Sequence, residues 1–199
     1  MAVGKTRATL EEVRRLAELS FRVVGRIELA GLTIADALKR GNKILICGNG
    51  GSAAEALHFG GELVGRFKKE RKALPAIVLG SNLSTLTAVA NDYNYESVFA
   101  REVEAFGVPG DVLVVFSTSG NSKNVIAAVA QAYKQGLEVV GFLGCGGVLK
   151  HQVHDPILVA SSDTPRIQEM HQVFVHVISE LVEENLFGVE MKKESEEKK

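Results

Sequence analysis

The stretch Lys43-Ile-Leu-Ile-Cys47-Gly-Asn-Gly-Gly-Ser52 decides the fold of this chain. It starts as a short apolar run, and it ends in glycines followed by a serine. Four more runs have the same apolar character, namely Ala76–Leu79, Val112–Phe116, Val139–Leu143 and Pro156–Val159. Runs that are apolar on both faces are typical of buried parallel strands, because helices cover both sides of a parallel sheet.

Helical patterns alternate with these runs, so the sequence predicts an α/β fold, a doubly wound, five-stranded parallel sheet flanked by helices. The predicted helices between and after the strands are Ser52–Arg66, Leu83–Asn91, Ser97–Phe106, Asn121–Gln135 and Pro165–Phe187. Ahead of the sheet, helical spacing runs from about Thr9 to Ala30 and again from Leu32 to Lys39. We therefore expect an N-terminal helical segment (1–40) that packs on the domain or on a partner subunit, one domain (41–188) and a charged tail (189–199).

Composition excludes several classes of protein. Among 199 residues, 23 Lys and Arg balance 24 Asp and Glu, so a cationic field for nucleic acid is missing. No apolar run approaches the roughly 20 residues of a membrane span, and residues 1–7 lack the apolar core of a signal peptide. Two cysteines, Cys47 and Cys145, fit a reducing compartment. The sequence predicts a cytoplasmic protein with no nucleic-acid or membrane partner.

Three loops follow predicted strands at the edge where open parallel sheets bind ligands. The first loop, residues 47–52, lacks both the Gly-x-Gly-x-x-Gly pattern and a P-loop lysine, so it is either a tight turn capped by Ser52 or an anion site. The second loop, Ser117-Thr-Ser-Gly-Asn-Ser122, has more hydroxyls than one helix cap needs. It predicts a site for a phosphomonoester. The third loop, Ala90-Asn-Asp-Tyr93, is by itself an ordinary turn former.

Two helices carry candidate reacting groups. His58 and Glu62 are four residues apart and share one helix face, and Gln168, Gln172 and His176 recur every four residues on the last helix. Taken alone, the first pair is explained by an ordinary intrahelical contact. A histidine such as His176, taken alone, is more often a satisfied core or boundary residue.

The three loops, taken with Arg166-Ile-Gln-Glu-Met-His171, resemble the sugar isomerase (SIS) domain family. The resemblance covers roughly residues 10–187 and is narrower to the phosphoheptose isomerases within that family. It implies a flavodoxin-like SIS phosphosugar-binding domain at 41–188. It also implies isomerisation of sedoheptulose 7-phosphate to D-glycero-D-manno-heptose 7-phosphate for heptose biosynthesis, in a homotetramer with sites near subunit interfaces.

The resemblance also assigns roles to residues. It maps the acid/base pair onto Glu62 and His176, and the ligands of one Zn²⁺ per subunit onto His58, Glu62, Gln168 and His176. The implied substrate contacts are Asn49, Gly50, Gly51, Ser52, Glu62, Asn91, Asp92, Ser117, Thr118, Ser119, Ser122 and Gln168. We expect Glu62 to take the carbon-bound proton, His176 to serve the oxygens, and a bound metal to polarise the carbonyl. Because a zinc-bound carboxylate is a weaker base, the two roles of Glu62 compete.

Helix geometry constrains that ligand set. Gln168 and His176 are eight residues apart, about 12 Å of helix rise, so one metal requires either a strained reach or ligands from two subunits.

The chain departs from the family's pattern at Pro165, where the enzymes often carry an acidic residue. His151, His154 and His171 are expected at the surface or its boundary, and Cys47 in the core.

Two alternatives stay open. One is a non-catalytic SIS-domain protein that binds the bacterial replication initiator. A relative of that kind lacks the histidine on the last helix, whereas His58, Glu62 and His176 are all present here. The other alternative is an isomerase of a different sugar phosphate, since the sequence does not show the length of the pocket.

Overall fold

Five short strands form the centre of the chain in a computed structural model, which describes residues 2–188. The predicted charged tail, 189–199, lies outside the described residues. The strands are β1 (Ile44–Gly48), β2 (Ala76–Val78), β3 (Val112–Ser117), β4 (Glu138–Gly144) and β5 (Asp155–Val159). The helices are α1 (Ala2–Ser20), α2 (Val24–Lys39), α3 (Gly51–Val64), α4 (Leu83–Asp92), α5 (Val98–Phe106), α6 (Lys123–Lys134) and α7 (Thr164–Phe187). Short 3₁₀ turns occupy Phe21–Val23, Tyr95–Ser97 and Leu149–His151.

All strand pairs are parallel, and the strand order is β2-β1-β3-β4-β5. This is the flavodoxin-like order of a doubly wound sheet, so the predicted fold class is confirmed. Strand β2 pairs with one edge of β1, and the chain then crosses over so that β3 pairs with the other edge of β1. The topological switch point therefore lies between β1 and β3, where such sheets bind their ligands.

The sheet separates two apolar layers. Ile44 and Ile46 of β1 face a layer formed with α2, α3 and α7. Leu45 and Cys47 face the opposite layer, formed with α4, α5 and α6. Cys47 is fully buried, as expected, and burial raises the pKa of its thiol, with a further contribution from nearby Glu102.

The N-terminal segment differs in its boundaries from the prediction. A 3₁₀ turn at Phe21–Val23 breaks the predicted helix, and α2 then continues through the expected break near residue 31. The 3₁₀ turn keeps the helical hand, so apolar spacing barely changes across it. Helix α1 begins at Ala2, before the predicted start near Thr9.

The two N-terminal helices are buried to different extents. Helix α2 buries Ile27 and Ile34 in the layer shared with α7. Helix α1 buries Leu16, while Leu10 on α1 is 64% exposed and Phe21 in the turn that follows is 79% exposed.

Within residues 2–188, no helix combines the length and apolarity that crossing a membrane requires.

Candidate active site

The first and second loops meet at the switch point. They follow β1 and β3, which are neighbours in the sheet, and they lead into α3 and α6. Two amides join them: Asn49 Nδ2 donates to Asn124 Oδ1, and Asn124 Nδ2 donates to Asn49 Oδ1, both at 2.8 Å. Two helix N-termini are thereby held side by side, and backbone N–H groups with the positive ends of two helix dipoles favour an anion there.

The hydroxyls of the second loop surround the start of α6. Ser117 is buried, and its Oγ accepts from the Gly120 N–H at 3.2 Å and lies 3.3 Å from the Ser122 Oγ. The side chain of Ser122, the N-cap residue of α6, makes no capping hydrogen bond. Ser119 Oγ accepts from the Asn121 N–H. The loop therefore offers hydroxyl groups beside an N-terminus that its cap residue does not satisfy.

The third loop reaches the first through a residue that the sequence analysis missed. The Tyr95 hydroxyl donates to Asn49 Oδ1 at 3.0 Å. Asn91 and Asp92 are exposed at the end of α4, where Asn91 Nδ2 donates to Asp92 Oδ1. The side chain of Asn49 is already engaged by Tyr95 and Asn124, so its backbone is the part best placed to meet a ligand.

Three of the candidate reacting groups form one cluster. His58 Nε2 lies 3.0 Å from Glu62 Oε1 and 3.1 Å from His176 Nε2. One ligand atom from each residue lies within 4.8 Å of the others. Two imidazoles and a carboxylate form the protein ligand set of many catalytic zinc sites. Ligands about 2.1 Å from a tetrahedral ion lie about 3.4 Å apart, so the residues present fit zinc.

Gln168, the fourth implied ligand, contacts the start of α3. Its carboxamide packs against Gly51, the first residue of α3, where an added Cβ would collide with it. Gln172, one turn further along α7, has its Nε2 3.2 Å from His176 Nε2. The structure therefore brings three of the four implied ligands together within one chain, and those three need not come from two subunits. Gln168, eight residues before His176 on α7, contacts the first residue of α3.

The loop of residues 65–72 covers the cluster from one side. The Phe67 ring stacks on the His176 ring, with centroids 5.5 Å apart and planes inclined by 27°. Glu183 of α7 anchors this loop by accepting hydrogen bonds from the N–H groups of Phe67, Lys68 and Lys69, each at 2.9 Å. Single-sequence patterns do not predict this loop, because its partner Glu183 is more than 110 residues away.

A buried arginine completes the anchor. Arg71 Nε donates to Glu183 Oε1 at 3.0 Å, and the two side chains are only 1% and 2% exposed. Arg71 also donates to the backbone oxygens of Glu62, Leu63, Gly65 and Lys72. Burial pushes the pKa of Glu183 upward, but the backbone N–H groups and Arg71 outweigh it and hold the pKa below its usual range.

The predicted surface position of His171 is wrong. His171 is 0% exposed and faces Glu55 across the α3–α7 contact. It belongs to the buried face of α7 because it follows Ile167 by four residues and precedes Phe174 by three. His151 and His154 are exposed, as expected. Pro165 lies in the first turn of α7, also as expected.

A doubly wound sheet with a hydroxyl-rich loop at its switch point is the architecture of a domain that binds an anionic ligand there. The family model for the SIS domain matches residues 10–144, so the chain belongs to the SIS-domain family.

Within that family, it belongs to the phosphoheptose isomerases. A phosphoheptose isomerase from Campylobacter concisus is 51% identical over 167 residues, which cover 83% of this chain and 88% of that protein. The solved phosphoheptose isomerase from Neisseria gonorrhoeae is 36% identical with a TM-score of 0.87, covering 92% of this chain and 99% of that one. The one from Francisella tularensis is 32% identical with a TM-score of 0.88, covering 92% and 98%.

Proposed function

We propose that this protein isomerises sedoheptulose 7-phosphate to D-glycero-D-manno-heptose 7-phosphate, a step that supplies heptose. The observation that carries the proposal is the Glu62–His58–His176 cluster, with successive contacts of 3.0 and 3.1 Å. His58 and Glu62 of this cluster lie on α3, and the N-terminus of α3 lies at the switch point where backbone N–H groups favour an anion. Relatives named phosphoheptose isomerase at about half identity support the choice of substrate.

The reaction moves a proton between C1 and C2 of the sugar through an enediol. Glu62 takes the proton from C1 and returns a proton to C2. His176 supplies a proton to the C2 carbonyl oxygen and removes the proton from the C1 hydroxyl. The second loop and the two helix N-termini hold the phosphate, which fixes the distance between the sugar carbons and Glu62. Phe67 excludes water from one face of His176.

A zinc ion, one per subunit, is part of the proposal. His58, Glu62 and His176 would hold it. The fourth ligand that the family resemblance implies, Gln168, would have to leave its contact with Gly51 to join them. When bound, zinc supplies Lewis-acid polarisation of the substrate carbonyl. His58 contacts both other groups, so it also orients the acid/base pair.

We further propose a cytoplasmic homotetramer with sites near subunit interfaces. Support comes from apolar side chains beside the cluster: Leu57 is 54% exposed, Val173 is 49% exposed and Val177 is 41% exposed. Such side chains flanking reacting groups favour coverage by another copy of the chain. The N-terminal segment, residues 1–40, offers further exposed apolar groups on α1. Light scattering should give a mass near 86 kDa, four times 21.4 kDa.

The test is turnover of sedoheptulose 7-phosphate compared with pentulose and hexulose phosphates. Glu62→Gln and His176→Asn should each abolish turnover. Glu104→Gln and His151→Asn, which make the same chemical changes at exposed positions, should leave it unchanged. Preference for a shorter sugar phosphate would contradict the substrate. Absence of all turnover in zinc-replete protein that binds the replication initiator tightly would contradict the enzyme itself.

A further inference from the structure

A buried acid–imidazole pair lies between α3 and α7, outside the groups that the proposed chemistry uses. Glu55 is 7% exposed and His171 is 0% exposed. Glu55 Oε2 lies 3.7 Å from His171 Nδ1. Among residues 2–188, six buried side-chain nitrogen or oxygen atoms lack a hydrogen-bond partner, and four of these six belong to this pair.

The surroundings of the pair are apolar. The His171 ring meets the rings of Phe116 and Phe142 edge-on, with centroid distances of 5.9 Å in both cases. A buried polar atom without a partner lowers stability, and apolar side chains of similar volume would remove that cost. The pair is therefore held at the expense of stability, which indicates a role other than packing.

The position of the pair suggests that role. Helices α3 and α7 meet at three levels: Gly51 with Gln168, Glu55 with His171, and the His58–Glu62–His176 cluster. The pair is the middle level, between the end of α3 that faces the phosphate and the end that reacts. Apolar contacts are non-directional and tolerate sliding, whereas a buried carboxylate and imidazole favour the few registers in which they face each other.

We propose that Glu55 and His171 are positioning residues whose contact sets the register at which Glu62 and His176 meet. The inference rests on the proposed isomerase function, and neither residue contacts the substrate. Their 3.7 Å separation exceeds a hydrogen bond by less than about 1 Å, so a small shift of either helix changes how the two groups meet. A displacement of about 1 Å at reacting groups costs roughly a hundredfold in rate, so a loose register lowers kcat.

The test is the double variant Glu55→Met/His171→Leu, which replaces the pair by apolar side chains. Its melting temperature should equal or exceed that of the unaltered protein. Its kcat should fall about 10- to 100-fold while KM stays within about twofold, because the phosphate loops are untouched. Met170→Leu, an apolar exchange at a buried position of α7, should leave kcat unchanged. Glu55→Gln retains the volume and a polar group that faces His171, so its kcat should stay within about threefold.

Three results would overturn the proposal. They are an unchanged kcat in the double variant, a fall in its melting temperature, and a Glu55→Gln kcat as low as that of the double variant. If the unaltered protein shows no turnover, the proposed function fails separately. Zn²⁺ affinity, measured by competition with a chromogenic chelator, then decides: about tenfold weaker binding in the double variant supports the positioning role, and equal binding refutes it.

Discussion

Replacing Arg71 with methionine should unfold the protein at a much lower temperature and expose His176. The variant loses the 3.0 Å contact with Glu183 and four hydrogen bonds to backbone oxygens. The Glu183 carboxylate stays buried without its cation. Breaking a buried pair in this way costs about 3–5 kcal/mol. For a chain of this length, about 4 kcal/mol corresponds to a fall in melting temperature of roughly 8–16 °C.

The assay is thermal unfolding at fixed protein concentration, with Arg101→Met as the matched control. Arg101 pairs with Glu104 at 3.1 Å, but both side chains are more than half exposed. Its loss should therefore shift the melting temperature by about 2 °C or less. If Arg71→Met shifts it no more than Arg101→Met does, the 65–72 loop is not anchored by the buried pair. Phe67 would then be held over His176 by contacts other than the Arg71–Glu183 pair.

Three further predictions concern acid stability, the start of α3 and the metal. Despite burial, hydrogen bonds hold the pKa of Glu183 below its ordinary 4.5, so the stability it contributes is present above that value and is lost as pH falls through the lowered pKa. The urea midpoint should therefore fall more steeply below about pH 4.5 in the unaltered protein than in Glu183→Gln, and equal slopes would count against this. Gly51→Ala should displace the Gln168 carboxamide and raise KM. Gly61→Ala, whose Cβ would enter open space, should instead stabilise α3 by about 1 kcal/mol. Identical KM values for Gly51→Ala and the unaltered protein would contradict the Gly51–Gln168 contact. His58→Asn should weaken Zn²⁺ binding at least about tenfold in a calorimetric titration, and undiminished affinity would remove His58 from the ligand set.

The fold could be predicted because its signals are local. Each strand of a covered parallel sheet is a continuous apolar run, and the chain places a glycine or hydroxyl loop directly after the two strands that flank the switch point. The boundary between α1 and α2 was missed for the same reason. Only the backbone at Phe21–Val23 changes there, and the apolar spacing hardly does.

The site could be predicted only where its parts share a motif or a helix. His58 and Glu62 are four residues apart, so their contact follows from helix geometry. The contacts of Tyr95 with Asn49 and of Phe67 with His176 join distant segments, and single-sequence patterns carry no such pairing. His171 was misplaced because a histidine by itself does not reveal which helix face it occupies.

The central claim is that Glu62 moves the carbon-bound proton of the sugar. The most direct test is NMR of the reaction of sedoheptulose 7-phosphate in D₂O. The unaltered protein should form the aldose with deuterium at C2, because a proton taken up by a carboxylate exchanges with solvent. Glu62→Gln should form no product and exchange no hydrogen at C1. Product formation by Glu62→Gln at the unaltered rate would contradict the account.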